Sequence, residues 1–284
     1  MRWRIAALAR QAGRVLRHPS RLRALHPSGA LAALHELIEP GEPELLASAF
    51  GVSPTAFAGF EEDLLGDQAF RTSLAQRHAR VRGAPLRAFD RREQDDDCLR
   101  FRLLYYLVRA RRPRICVETG VFDGVSSAVI LKALRDNGAG RLHSIDQPAR
   151  QPVPASTDRM HFSTLPSGCE PGWLIPDNLR ERWRLRVGPS QEVLPLCLEE
   201  LGAIDFFLHD SLHTRAHMLW EYTTAWPALA AGGLLVSDDV FWSRAFFHFA
   251  REAGIAPCIA RGIGWLRKPT LSHGVPASRG AVIG

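Results

Sequence analysis

From residue 99 onward the chain alternates short apolar runs with longer amphipathic stretches. Ile115–Thr119 reads as a buried strand. Gly120 to Gly124 then form a turn, and a helix opens at Val125 or Ser126, runs to Arg135 and stops at Asn137-Gly138. Strands are predicted over Arg141–Asp146, Trp183–Val187, 203–209 and 234–237. Phe206, Phe207 and Leu208 mark the fourth of these as central. Helices are predicted over Ser190–Leu201, 214–231 and 243–253, with a kink or break at Pro227. Residues 255–260 and 262–267 read as two strands around a tight turn at Arg261-Gly262. This alternation predicts an α/β fold with a mostly parallel, Rossmann-like sheet and an antiparallel hairpin at its C-terminal end.

Before residue 96 the pattern is helical throughout. Trp3, Ile5, Leu8, Ala12, Val15 and Leu16 form an approximate apolar stripe between arginines, ended by Pro19. Further helices are predicted over 30–38, 44–50 and 67–82, and Ser53-Pro54 has the form of a helix start. Residues 1–95 read as a helical accessory region, 96–268 as the α/β domain and 269–284 as a tail. An apolar segment over 99–110 follows Asp95, Asp96 and Asp97, whose charges suit a helix N-terminus, and Pro113 closes it. Residues 147–181 are too long for a plain connection and read as a cap or substrate loop, in which Met160 and Trp173 line a pocket or simply pack.

Charge adds one exclusion and one open question. The net charge is +6, yet Lys132 and Lys268 are the only lysines, so a lysine general base is nearly excluded. The first 28 residues hold seven arginines and no acid. Such a stretch fits nucleic acid, an anionic membrane surface or an acidic partner, although a solvated helix explains it more simply. No apolar run approaches the roughly 20 residues that cross a bilayer, and the N-terminus lacks the apolar core of a secretory signal, so a cytoplasmic protein is expected. Five scattered cysteines without a C-x-x-C pair suggest neither a zinc site nor a disulfide framework.

The chemistry gathers at strand ends. Strand, glycine turn and helix N-terminus together make a cradle for a nucleotide cofactor. Gly120 and Gly124 are spaced G-x-x-x-G, without the third glycine of the dinucleotide pattern. Glu118, just before the turn, points instead to S-adenosylmethionine (SAM); an ordinary β-turn-α joint is the plainer reading. Asp146, ending the second strand, is placed to hold ribose hydroxyls. Asp210 ends the fourth strand, and Asp238 and Asp239 end the fifth. Converging carboxylates repel one another unless a cation sits between them, and oxygen-only ligands favour Mg²⁺ or Ca²⁺, with Mg²⁺ the better match beside a transferable substrate. Asp239 also reads as a helix cap.

These residues carry a resemblance over roughly residues 96–268. Glu118-Thr-Gly-Val-Phe-Asp-Gly-Val-Ser126, Gly188-Pro-Ser-Gln191, Asp146, Asp210 and the Asp238-Asp239 pair together resemble the class I SAM-dependent O-methyltransferases, in particular the metal-dependent, catechol O-methyltransferase-like kind. The resemblance implies that Ser126 reaches the methionine carboxylate, that Ser190 and Gln191 border the adenine, and that Asp210, Asp238 and Asp239 hold Mg²⁺ or Mn²⁺. It also departs from the catechol type. His213 stands where that type has lysine, and Asp239 where it has asparagine. The histidine variant is similar to bacterial sugar and macrolide O-methyltransferases, which implies a sugar, polyketide or other natural-product hydroxyl as acceptor. His213 is then the expected general base, since a neutral imidazole accepts a proton near neutral pH. Its other reading is a helix-start residue bonded to Asp210. His213 and His217 also have i, i+4 spacing, but the glutamate of a zinc helix is missing. His209 is expected to point to the other side of its strand, into packing. Two rival functions remain at this level: a nucleic-acid methyltransferase and a non-catalytic SAM-binding scaffold. The oligomeric state is open.

Overall fold

The computed structural model describes residues 50–86, 89, 96–148 and 164–270. The helices expected over 2–17, 30–38 and 44–49 lie outside these residues, as do Met160 and nearly all of the tail.

Two helices open the described chain: α1 (Pro54–Leu65) and α2 (Gln68–Arg82). Ser53 Oγ accepts from Ala56 N at 3.2 Å, and Asp67 Oδ1 from Phe70 N at 2.8 Å. Each cap thus satisfies an amide that the first helical turn leaves without a partner. Then follow α3 (Asp96–Arg111), β1 (Ile115–Thr119), α4 (Val125–Asp136), β2 (Arg141–Asp146), a 3₁₀ turn (Asp177–Arg182), β3 (Trp183–Val187), α5 (Ser190–Leu201), β4 (Ile204–His209), α6 (Arg215–Ala228), β5 (Leu229–Ser237), α7 (Ala245–Glu252), β6 (Cys258–Ala260) and β7 (Ile263–Arg267).

The seven strands form one sheet in the order β3-β2-β1-β4-β5-β7-β6. All neighbours from β3 to β5 are parallel, and β7 runs antiparallel to both β5 and β6. This is the Rossmann-like sheet with a C-terminal hairpin that the alternation predicted. Successive side chains leave a strand on opposite faces. Phe206 and Leu208 of β4 accordingly join Leu104 of α3 and Ile130 of α4 in one apolar cluster, while Phe207 joins Leu194, Met218 and Phe246 on the other side. The sheet is therefore sandwiched between two helical layers. Phe57, Leu64, Phe70 and Leu74 of α1 and α2 belong to the first cluster. The described part of the accessory region shares the core of the α/β domain.

Two boundaries differ from expectation at one place. The helix predicted over 214–231 ends at Ala228, and the strand predicted over 234–237 begins at Leu229. Pro227 breaks the helix rather than kinking it. Lys268 Nζ takes up the carbonyls left over, donating to Trp226 O at 2.9 Å, Pro227 O at 3.1 Å and Leu229 O at 2.6 Å. The hairpin strands are also shorter than expected, three and five residues long.

Register fixes where the chemistry lies. Thr119 pairs with Ile145 on one side and His209 on the other, and His209 pairs with Ser237. The residues just past these pairs, Gly120, Asp146, Asp210 and Asp238, therefore emerge side by side at the carboxyl edge of the sheet, where open α/β folds bind ligands. Backbone bonds continue across the tips: Gly120 N to Ile145 O, Asp210 N to Thr119 O and Asp238 N to His209 O, each at 2.9 Å.

Candidate active site

A cavity of about 680 Å³ opens at that edge. One side is built from Gly120, Val121, Asp146, Ser190 and Gln191, and the other from Arg100, Asp210, His213, Asp238 and Asp239. Phe101, Leu165, Leu212 and Trp242 supply apolar wall. Gly120, Asp146, Ser190 and Gln191, expected to hold a cofactor, thus share one space with the residues expected to act on an acceptor.

On the first side, Gly120 has φ +87, and a Cβ there would lie closer than 3.0 Å to the carbonyl of Asp210. Only glycine lets the turn pass this close to β4. Asp146 Oδ1 accepts from Val121 N at 2.8 Å and Phe122 N at 3.3 Å, so its carboxylate organises the turn as well as lining the cavity. Burial raises its pKa, against these two amides. Ser190 and Gln191 are held from behind by His217. Ser190 Oγ lies 3.1 Å from His217 Nε2, and the Gln191 amide 3.0 Å from Nδ1. His217 Nε2 in turn lies 2.9 Å from Glu221 Oε1. A ring protonated at Nε2, donating to Glu221 and accepting from Gln191, satisfies both contacts.

Three of the expected cofactor residues stand outside the cavity wall. Glu118 is fully buried beneath the turn, where Oε1 accepts from Ser127 Oγ and, at 2.6 Å, from Ser144 Oγ. Trp183 Nε1 donates to the same Ser144 hydroxyl at 2.7 Å. Burial pushes Glu118 up to about 7 despite the serines. Ser126 is buried beside Glu118, and Gly124 caps α4 at φ +90 with Gly172 packed against it, a built Cβ standing 2.6 Å from Gly172 Cα. These residues shape the turn from below. The described part of the expected cap does similar work. Trp173 Nε1 donates to Asp123 Oδ1 at 2.7 Å, and Leu165 alone of residues 164–182 lines the cavity.

A polar network missed by sequence reading lies behind the site. Glu221, fully buried, accepts from Thr119 Oγ1 at 2.5 Å, His209 Nδ1 at 2.6 Å and Ser211 Oγ at 2.9 Å as well as from His217. Burial works to raise its carboxyl, yet His209 and His217 hold it far below the usual range. His209 is buried as expected, but its packing is polar. Glu221 sits in the middle of α6, where a lone acid gives no sequence signal.

On the second side, His213 Nε2 lies 4.0 Å from Asp210 Oδ1, beyond hydrogen-bond reach, and has no hydrogen-bond partner among the described residues. Its ring meets His209 edge to face at 5.1 Å. Burial first, then His209, pushes its pKa down to about 3. The ring is therefore neutral at ordinary pH, the form a base requires. Burial raises Asp210 well above the usual carboxylate range, helped by the Asp238 charge, and raises Asp238 too.

A cation does reach two of the three carboxylates, but it is a side chain. Arg100 Nη1, from α3, lies 3.0 and 2.9 Å from the two oxygens of Asp238 and 3.2 Å from Asp239 Oδ1. Asp239 has φ +50, a left-handed backbone that brings its carboxylate into this arrangement. Among the described residues no group of three or more acidic, histidine or cysteine side chains is arranged to hold a metal ion. The expected Mg²⁺ or Mn²⁺ site does not fit this donor set as it stands, because a guanidinium takes the carboxylate oxygens an ion would use. Nor do His213 and His217 form a zinc pair, since His217 is committed to Glu221, Ser190 and Gln191.

Residues 117–240 match the family model described as a methyltransferase domain. No curated protein matches the chain. Among solved structures the chain is similar to the SAH-bound methyltransferase PaMTH1 of Podospora anserina, at 15% identity and a TM-score of 0.45, covering 70% of this chain and 88% of that one. It is also similar to the O-methyltransferase TomG of Streptomyces achromogenes, involved in tomaymycin synthesis, at 18% identity and a TM-score of 0.47, covering 72% and 91%. A third is an O-methyltransferase of Bacillus cereus, at 14% identity and a TM-score of 0.46, covering 69% and 91%.

Proposed function

We propose, from the match of residues 117–240 to a methyltransferase domain, that the chain is a SAM-dependent O-methyltransferase that acts on a hydroxyl of a small molecule. The observation that carries this reading is the shared cavity, with Gly120, Asp146, Ser190 and Gln191 on one side and His213 with Arg100 and the carboxylates on the other.

When bound, SAM supplies a methyl group from its sulfonium: the S–C bond breaks, an O–C bond forms, and the acceptor hydroxyl gives up a proton. The protein's part is positioning and proton removal. Asp146 offers a carboxylate to ribose hydroxyls while bracing the Gly120 turn, and Ser190 and Gln191 border the base. His213, which lines the cavity, accepts the acceptor's proton on its imidazole. Its low pKa makes it a weak base, so the proton is held there only briefly; the Glu221 charge favours the imidazolium while it lasts. Phe101, Leu165, Leu212 and Trp242 suit an acceptor with apolar surface beside its hydroxyl, as a polyketide or a deoxygenated sugar has. The metal-assisted form of the reaction, which the resemblance implied, is not carried into this proposal, because Arg100 holds Asp238 and Asp239.

Calorimetry with SAM, followed by release of S-adenosylhomocysteine across a panel of hydroxylated small molecules, tests the reading. Binding of SAM and turnover with at least one hydroxyl acceptor are expected. Absence of SAM binding would remove the proposal, and SAM binding with turnover only on RNA or DNA would replace the acceptor class.

A further inference from the structure

The carboxylates at the ends of β4 and β5 pose an electrostatic problem that the chain answers internally. Asp238 is 13% exposed and Arg100 19%, so the pair is largely withdrawn from water, where charges attract more strongly than at the surface. A single Nη1 contacts three carboxylate oxygens on two residues at 2.9 to 3.2 Å. Charge-assisted contacts of that length, on a guanidinium that keeps its charge at any pH a protein meets, make a permanent counter-ion. Arg100 also lines the cavity together with His213, Asp210 and Trp242, so its charge faces the space where an acceptor oxygen loses its proton.

We propose that Arg100 is the resident cation of the acceptor side, standing where the resemblance implies a divalent metal ion, and that the reaction of this chain needs no such ion. The proposal rests on the O-methyltransferase reading for its chemistry but not for its electrostatics. Arg100 neutralises Asp238 and Asp239 and gives positive potential to the oxygen that develops negative charge as its proton moves to His213. It does not exchange protons itself. Its place at the site follows from α3, whose first turns lie against the carboxyl edge of the sheet. In this role it is a positioning residue for the carboxylates and a fixed charge for the acceptor.

The two functions separate experimentally. Titration of Mn²⁺ into the full chain, followed by the paramagnetic signal of the free ion, reads metal binding without any substrate. The wild-type chain should leave the signal unchanged at millimolar Mn²⁺. Arg100→Met removes this guanidinium from Asp238 and Asp239 and should acquire a site that takes up one Mn²⁺ and raises its melting temperature, whereas Arg100→Lys should behave like wild type in both readouts. Should Arg100→Met fold too poorly to titrate, the wild-type and Arg100→Lys measurements still decide. Stoichiometric Mn²⁺ uptake by the wild type, abolished in Asp238→Asn, would overturn the proposal, as would loss of wild-type turnover in EDTA restored by Mg²⁺. A wild type that neither binds Mn²⁺ nor transfers methyl groups would leave Arg100 as counter-ion and fail the O-methyltransferase reading instead.

Discussion

The turn at Gly120 and the carbonyl of Asp210 pass so closely that a Cβ on Gly120 would lie under 3.0 Å from the carbonyl oxygen. This contact joins the end of β1 to the end of β4, and so fixes the spacing between the two sides of the cavity. Gly120→Ala meets both the close approach and a φ of +87. A left-handed backbone alone costs about 1–3 kcal/mol for a side-chain-bearing residue, and the steric contact adds to it. We expect a lowered unfolding midpoint and weakened SAM binding together, measured by urea titration and calorimetry. A variant with wild-type values in both would mean that β1 and β4 separate easily.

Asp146 faces two ways, towards the amides of Val121 and Phe122 and into the cavity. Asp146→Ala should weaken SAM binding by about 1.5–3 kcal/mol, the scale of lost hydrogen bonds to a charged group. Asp146→Asn keeps an oxygen for the two amides and should lose less. Unchanged SAM affinity in the alanine variant would take Asp146 out of the binding site.

His213 gives separate kinetic and thermodynamic signatures. His213→Gln should slow single-turnover methyl transfer by about 10²–10⁴-fold with SAM affinity nearly unchanged. The folded pKa of about 3 lies below the ordinary 6.5. The unfolded chain therefore binds a proton first as pH falls, and stability declines from pH 6.5 towards 3. His213→Gln should flatten that part of the stability curve. Retention of the wild-type slope, with a near-normal rate, would make His213 a packing residue.

Glu118 has the opposite sign. Its pKa of about 7 lies above the ordinary 4.5, so the folded state keeps a proton that the unfolded chain releases. The resulting stability is present below pH 4.5 and lost as pH rises through 7. Its Oε1 takes both serine hydroxyls, while Oε2 has no hydrogen-bond partner among the described residues. Glu118→Gln keeps an acceptor for the serines and cannot ionise, so chemical denaturation on either side of that window should show a flatter pH dependence. An unchanged slope would place the titration elsewhere.

Much of this protein could be read along the chain. The β1 strand, the Gly120 turn, the N-terminus of α4 at Val125 and the acids after β2, β4 and β5 are local features, written in period-two apolar runs, glycines and strand-end carboxylates. A parallel sheet brings such ends to one edge whatever the details of packing, so Asp146, Asp210 and Asp238 could be grouped before any fold was seen. What local pattern does not contain is which way a buried acid turns and what a distant helix brings. Glu118 looks like a ligand residue in its motif, yet Ser127 and Ser144 draw it beneath the turn. Glu221 carries no motif, yet four side chains converge on it because α6 crosses behind β4. Arg100 is one of several arginines interleaved in an apolar helix, 138 residues before Asp238. Only the packing of α3 against the sheet decides that its charge, and not that of Arg102 or Arg109, ends among the carboxylates. The strand-end acids alone led to the expectation of a cation there; long-range packing is what brings the Arg100 guanidinium to Asp238 and Asp239.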